Sequence, residues 1–596
     1  MTDRTLLRDE SGSALVVVVA VGAVLAMLMT MLVALSINGM KQAHSDADWN
    51  AALAAAYAGI DEYQSRLSAD TSYYRFGNSS STFANGSILT ADSTNPAFGL
   101  GAGGTWADVN GSEGRAQFRY EVDNSAYLTS GRIRVRATGK VGDETRTLIA
   151  DLKQQGFIDF LYFTDLEVQD PTLFSTTTAG CFTDSTKTVM KYAWNGRTTS
   201  SSNPCKDVSF GAFDTINGPV HSNDTIRACQ TVFAGAVTTG KPTSPYYSAL
   251  TSTNSSCTAA TFSLAGYPAY GGVTGMPETN SQLKKETRTD LTATDVPRPG
   301  CLYTGPTQFT FNSNGTVTIR SPFTKKTRIG DANSSTGSEP SECGTISQLQ
   351  SAAGATITLP DNNVLYVQNV PSVTTDVNYW ASDAWPANFT CTSTTNGGWV
   401  FGTAASYTAY PMRSAYNTVS EVAPDKMPYG CRAGDAFVQG TFNGAETVAA
   451  ENYIVVVGDV TYADRQENIL GLVGNNAVLV WNPKNSSGAL LQSGNRTIEA
   501  AILSVAHTFQ VQNYDVGPAR GTLNVYGAIA QKYRGTVATA NSSTGVIQTG
   551  FSKNYVYDTR FKYKAPPKFL NPVTTTYGVT TWVETAAVFN ADGSAR

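Results

Sequence analysis

Between Ala14 and Ile37 the chain runs for 24 residues without a charge, and only Thr30 and Ser36 interrupt its apolar character with hydroxyls. At roughly 1.5 Å per residue such a helix reaches about 36 Å, enough to cross the hydrocarbon core of a bilayer. A secretory signal has a shorter apolar core and a small-residue exit. Here the run passes instead into "NGMKQAHSDADWNAALAAAYAGIDEYQSRL". Within it Ala43, Ala47, Ala51, Ala54 and Ala58 step by 4, 4, 3 and 4 residues, so they share one helical stripe. Leu53, Tyr57, Ile60 and Leu67 make a second apolar stripe, and Asp46, Asp48, Asp61, Glu62 and Arg66 a polar face. The spacing predicts a single helix over 13–68, apolar all round in its first half and amphipathic in its second. Small residues let neighbouring helices approach closely, so the alanine stripe is the candidate helix-packing interface. A plain membrane anchor followed by a stalk helix is the simpler alternative.

Beyond the helix, residues 69–104 read as loop. Alternating Phe118, Tyr120 and Val122, then Ile133, Val135 and Ala137, read as strands, and "TRTLIADLKQ" completes a small antiparallel sheet ending near Gln155. The remainder, 156–596, reads as one large all-β domain. Over 437–535 short apolar strands with Gly, Asn or Asp at their corners recur about every 20 to 30 residues, the pattern of a β-solenoid or β-helix. A two-sheet sandwich has a similar strand pattern and stays open as the alternative. "GPVHSNDTIRACQTVFAGAVTTG" (218–240) has the look of a further rung. The expected fold class is therefore α+β.

All eight cysteines (Cys181, Cys205, Cys229, Cys257, Cys301, Cys343, Cys391 and Cys431) fall in this second part, with no C-x-x-C pair and only three histidines in the chain. Zinc is not indicated, and an even count in a polar chain points to disulfides and an oxidising compartment. Pairing neighbours in sequence would make the span from about 181 to 431 a set of stapled insertions. Charged residues are only 15% of the total and the formal net charge is −5. No cluster of Lys and Arg marks a nucleic-acid groove.

The search for chemistry yields weak candidates. Asp165, Glu167 and Asp170 lack a Gly-punctuated ligand loop. "DANSSTGSEPSE" (331–342) has its Gly one place late for a Ca²⁺ loop and no flanking helices. His221 and His507 have no nucleophile beside them in sequence. The corner holding Asp459, Asp464, Arg465 and Glu467 reads as a solvated turn, although paired acids on a β-helix are also how polysaccharides are cleaved. No catalytic residue, metal site or cofactor is assigned, and no enzyme is expected.

"GSALVVVV" after a short polar leader, the long apolar helix, and "AAAYAGIDEYQSRL" resemble the N-terminus of PilX-type minor pilins of type IV pilus systems, especially large pilin-like proteins of Gram-positive actinobacteria. The segments "FDTINGPVHSNDTI", "YGAIAQKYRG" and "NYVYDTRFKYKAPPKFLNP" extend the likeness weakly. The resemblance implies a leader, Met1–Gly12, removed by a prepilin peptidase between Gly12 and Ser13. It also implies a single-pass membrane protein with its bulk outside the cytoplasm, partnered by other pilins and the pilus assembly machinery. The role implied is a minor tip or initiation subunit whose β domain serves assembly or adhesion to a surface ligand. One position departs from the pattern: pilins of this kind carry Glu at the fifth mature position, and here it is Val17. The alternative with the same topology is a statically anchored surface β-helix protein, either an adhesin or a polysaccharide-active enzyme.

Overall fold

The computed structural model describes residues 11–596 apart from 102–103, 128–130, 155, 175–178, 199–204, 212–213, 250–258, 294, 392–397, 404–405, 408–420, 423, 425, 542–545 and 573–576. It is an α+β protein made of two compact units, one comprising residues 1–153 with 577–596 and the other residues 154–576.

In the first unit a 59-residue helix, α1 (Ser11–Ala69), precedes four strands: β1 (Ala107–Asp108), β2 (Ala116–Asp123), β3 (Arg132–Val141) and β4 (Glu144–Gln154). They lie in the order β1-β2-β3-β4, antiparallel throughout, with Val122 opposite Val135 and Val135 opposite Ala150. The strand next to β4 is Tyr577–Thr585, from the far end of the chain. This corrects the domain reading, which left residues 577–596 in the β-rich part: the larger unit is an insertion into the smaller one. One face of the sheet carries Phe118, Tyr120, Val122, Ile133, Val135, Ala137, Ala150 and Leu152, all buried together with Ile60, Tyr63 and Leu67 of α1. Helix and sheet meet at very short range because small residues line the seam. A Cβ on Gly139 would lie 2.1 Å from the Ala52 carbonyl oxygen and 2.3 Å from the Ala56 nitrogen.

In the second unit most strand pairs are parallel. The chain winds through three ladders in turn, visible at Ala436–Phe442, Ala445–Ala450, Tyr453–Tyr462, Ile469–Gly474, Ala477–Val480 and onward through Arg496–Val511 and Ala519–Tyr533. In the first ladder Cys301, Leu365, Val448, Leu472, Ile502, Ile529, Tyr162, Val220 and Val237 are successive register partners. All nine are buried in one core. Parallel registers stacked rung on rung are solenoid geometry; a two-sheet sandwich is built from antiparallel pairs.

The stack does not follow sequence order. The rung at Tyr162–Leu166 pairs with Ala519–Tyr533, and Val220–Ser222 and Val237–Thr239 continue beyond it. The span from about 181 to 431, read from the sequence as stapled insertions, also supplies rungs of its own at Cys301–Thr304, Thr307–Asn312 and Asn363–Gln368. Those runs are short, and the Ser- and Thr-rich loops between them hide the period.

Disulfides join Cys181 to Cys205, Cys301 to Cys343 and Cys391 to Cys431, closing loops of 24, 42 and 40 residues. Loops of that length are worth about 3–4 kcal/mol each by chain entropy. Cys229 is also disulfide-bonded, and Cys257 lies outside the described residues. The Cys301–Cys343 bridge anchors a rung of the first ladder, since Cys301 is itself a member of the core column.

Candidate functional site

The feature that sets this molecule apart is α1. Leu15, Val17, Met27, Leu32, Val33 and Leu35 are each more than half exposed, with Val17 at 59%. This is the one helix among the described residues long and apolar enough to cross a membrane. Between Ala14 and Ser45 its only charged side chain is Lys41, so no acid lies near Val17 among the described residues. The Gly12–Ser13 bond falls in the first turn of the helix backbone, and the leader residues 1–10 lie outside the described residues.

The second half of α1 sorts its faces by size. Ala52, Ala55, Ala56, Gly59, Ile60, Tyr63 and Leu67 are buried. This corrects the second stripe expected from sequence. Ile60 and Leu67 belong to the buried face, but Tyr57 is 39% exposed and Leu53 only half-buried. The registers of alanine and glycine, which carry little hydropathy, fill the seam instead. Of the alanine stripe, Ala43, Ala47 and Ala54 are exposed, whereas Ala51 and Ala58 are half-buried and Ala58 packs against the core between helix and sheet.

Flanking this stripe are Trp49, Arg146, Trp582 and Glu584, which the sequence did not single out, beside Leu53 and Tyr57, which it did. The Tyr57 and Trp582 rings lie 4.8 Å apart, the latter on the last strand. The Arg146 guanidinium sits 4.9 Å over exposed Trp49, and Arg146 also pairs with Glu584. Trp49, Leu53 and Tyr57 recur every four residues, a spacing that marks one helix edge. Asp48 pairs with Arg115 at 3.0 Å and Ser45 donates to Glu144 at 2.8 Å, tying α1 to its own sheet.

The weak chemical candidates resolve into internal contacts. Glu167 pairs with Arg534, both buried, and Asp170 meets His507 Nδ1. Asp165 accepts from Tyr192 and Asn223, and burial raises its carboxyl above the usual range. No group of three or more His, Cys, Asp or Glu able to hold a metal occurs among the described residues. His221 is 1% exposed, stacks on Phe163 and bonds to Thr238 at 2.8 Å; burial pushes it down to about 4. His44 is exposed on α1. Asp331 winds its loop by accepting from the backbone nitrogens of Asn333, Ser335 and Thr336. In the charged corner Asp459 accepts from Thr497, Asp464 from Gln466, and Arg465 pairs with Glu499 across two rungs.

No protein-family model matches this chain, and no curated protein matches it. Among solved structures the competence-associated pilin ComZ from Thermus thermophilus is similar at 12% identity over 90% of this chain and 97% of that one, with a TM-score of 0.25. A likeness that slight fixes neither fold nor role.

Proposed function

We propose that this chain is a minor, pilin-like subunit of a type IV pilus or pseudopilus, of the PilX kind, which displays a large disulfide-stapled β unit outside the cytoplasm. The observation that carries the reading is α1. Its first half is bare apolar surface, its second half packs on an antiparallel sheet, and Ala43, Ala47 and Ala54 of its alanine stripe remain exposed. A membrane anchor alone has no use for a second, small-residue face. A helix drawn from the bilayer into a bundle does.

The partners are other pilins along the stripe, the assembly machinery, and a prepilin peptidase acting at Gly12–Ser13 from the cytoplasmic membrane. Val17 argues for few copies. In a shaft the new N-terminal amine would be buried without a compensating acid, at a cost of about 3–5 kcal/mol per copy. A subunit at a tip or in an initiation complex, with none above it, avoids part of that cost.

Quantitative mass spectrometry of purified fibres tests the reading. The expected result is this protein at a small fraction of the major pilin, with its deletion lowering fibre number or adhesion rather than fibre diameter. Finding it as the most abundant fibre component contradicts the tip role. Finding it only in the membrane supports static anchoring.

A further inference from the structure

The solenoid unit carries a cleft of about 850 Å³ at a corner of the stack, where the rungs Asn363–Gln368 and Ala445–Ala450 end side by side. Polar groups reach it from separate segments: Lys284 from a short helical turn, Gln368 and Asn369 from the end of one rung, Glu451 from the end of the next, and Asp376 from the loop between. Val370 and Pro371 form an apolar strip along the same wall.

The walls are pre-set. The 331–336 loop is wound on Asp331, and Ser334 is held at φ 56° with its carbonyl accepting from Val377 at 2.9 Å. Each of the two carboxylates is oriented by a backbone donor, Asp376 Oδ1 by Asn378 at 2.8 Å and Glu451 Oε2 by Asn369 at 2.7 Å. Their other oxygens make no hydrogen bond among the described residues, and Lys284 Nζ makes no ion pair there.

We propose that this cleft binds a neutral oligosaccharide. Its volume lies within the roughly 300–1,000 Å³ of small-ligand sites, and amide, hydroxyl and carboxylate groups make up slightly more of its wall than apolar surface does. Such a wall suits a ligand whose every hydroxyl both donates and accepts. Two carboxylates against one ammonium give a net negative site that repels phosphate, sulfate and nucleic acid. No aromatic ring lines the cleft to stack a planar base. Val370 and Pro371 offer instead a surface for the C–H face of a sugar ring. Burial also raises the Asp376 carboxyl, with Lys284 pulling the other way, so the two groups share one electrostatic environment. The inference is independent of the pilus reading, because a statically anchored protein would present the same cleft.

The test is calorimetric titration of the full-length protein in detergent with three neutral hexasaccharides: maltohexaose, cellohexaose and chitohexaose. A heparin-derived sulfated hexasaccharide serves as the charged comparison. At least one neutral glycan should bind with a Kd below about 1 mM. Lys284→Ala and Asp376→Asn should each weaken it about tenfold, the loss expected for one hydrogen bond to a charged group. Both variants should keep the parent's thermal midpoint, which separates a lost contact from a lost fold. Silence from all three neutral glycans overturns the proposal. So does unchanged affinity in both variants, or preference for the sulfated one.

Discussion

At the scale of single residues, the solenoid interior holds groups whose cost sets a pH dependence. Asp435 is fully buried; one oxygen accepts from Asn452 at 2.6 Å and from the Tyr453 nitrogen at 3.2 Å, while Oδ2 has no partner. Burial pushes its carboxyl up from 3.8 to about 7. The folded state therefore binds more protons than the unfolded chain between those values, and stability falls as pH rises through that window before levelling above it. His221 has the opposite sign: with its value depressed to about 4, it adds stability as pH rises from there to 6.5. Comparing the parent with Asp435→Asn separates the two. The denaturant midpoint followed by tryptophan fluorescence should fall less between pH 5 and pH 8 in the variant, and an identical fall would refute the assignment. None of this was legible in the sequence. Asp435 sits in "CRAGDAFVQG" like any turn aspartate, and Glu167 and Arg534 become partners across 367 residues.

At the scale of elements, α1 was the most legible feature, because a 24-residue uncharged run and a 3.6-residue period leave few alternatives. What the sequence hid was which small residues face inward. Large apolar side chains such as Leu53 and Tyr57 look like the better core candidates, yet only small residues such as Ala52, Ala55 and Ala56 allow the contact that Gly139 makes. Two substitutions separate the faces. Gly139→Ala forces a methyl against the α1 backbone and should cost about 1–3 kcal/mol of stability, read as faster proteolysis of the helix–sheet unit. Ala54→Leu points to solvent within that unit and should leave its stability and membrane insertion unchanged, but lower incorporation into fibres. Normal incorporation of Ala54→Leu would remove the alanine stripe from the assembly surface. The rungs between 437 and 535 were equally readable, since parallel strands covered on both faces are continuously apolar. The rungs at 162–166 and 220–239 carried the right residues, but their place beyond the last C-terminal rungs is a long-range pairing without a local signal.

At the scale of the whole molecule, the chain crosses from the first unit at residue 153, completes the solenoid, and returns at Tyr577 to lie beside β4. A large β unit is thus threaded into a small helix–sheet unit rather than appended to it. The returning strand escaped the sequence because "YGVTTWVET" alternates weakly and follows a long β-rich stretch of similar composition. Among the described residues α1 holds the only candidate span, and the sheet of the first unit and the whole second unit follow it in the chain; the disulfides fit an oxidising compartment. What separates a pilin-like subunit from a permanently anchored surface protein is whether the chain is processed for extraction from the membrane. The N-terminal residue of the mature protein, sequenced from membranes and fibres of the native host, decides this most directly. The pilin account predicts a chain beginning at Ser13 with the apolar run intact. A chain that retains Met1, or one cut beyond Ile37, contradicts it.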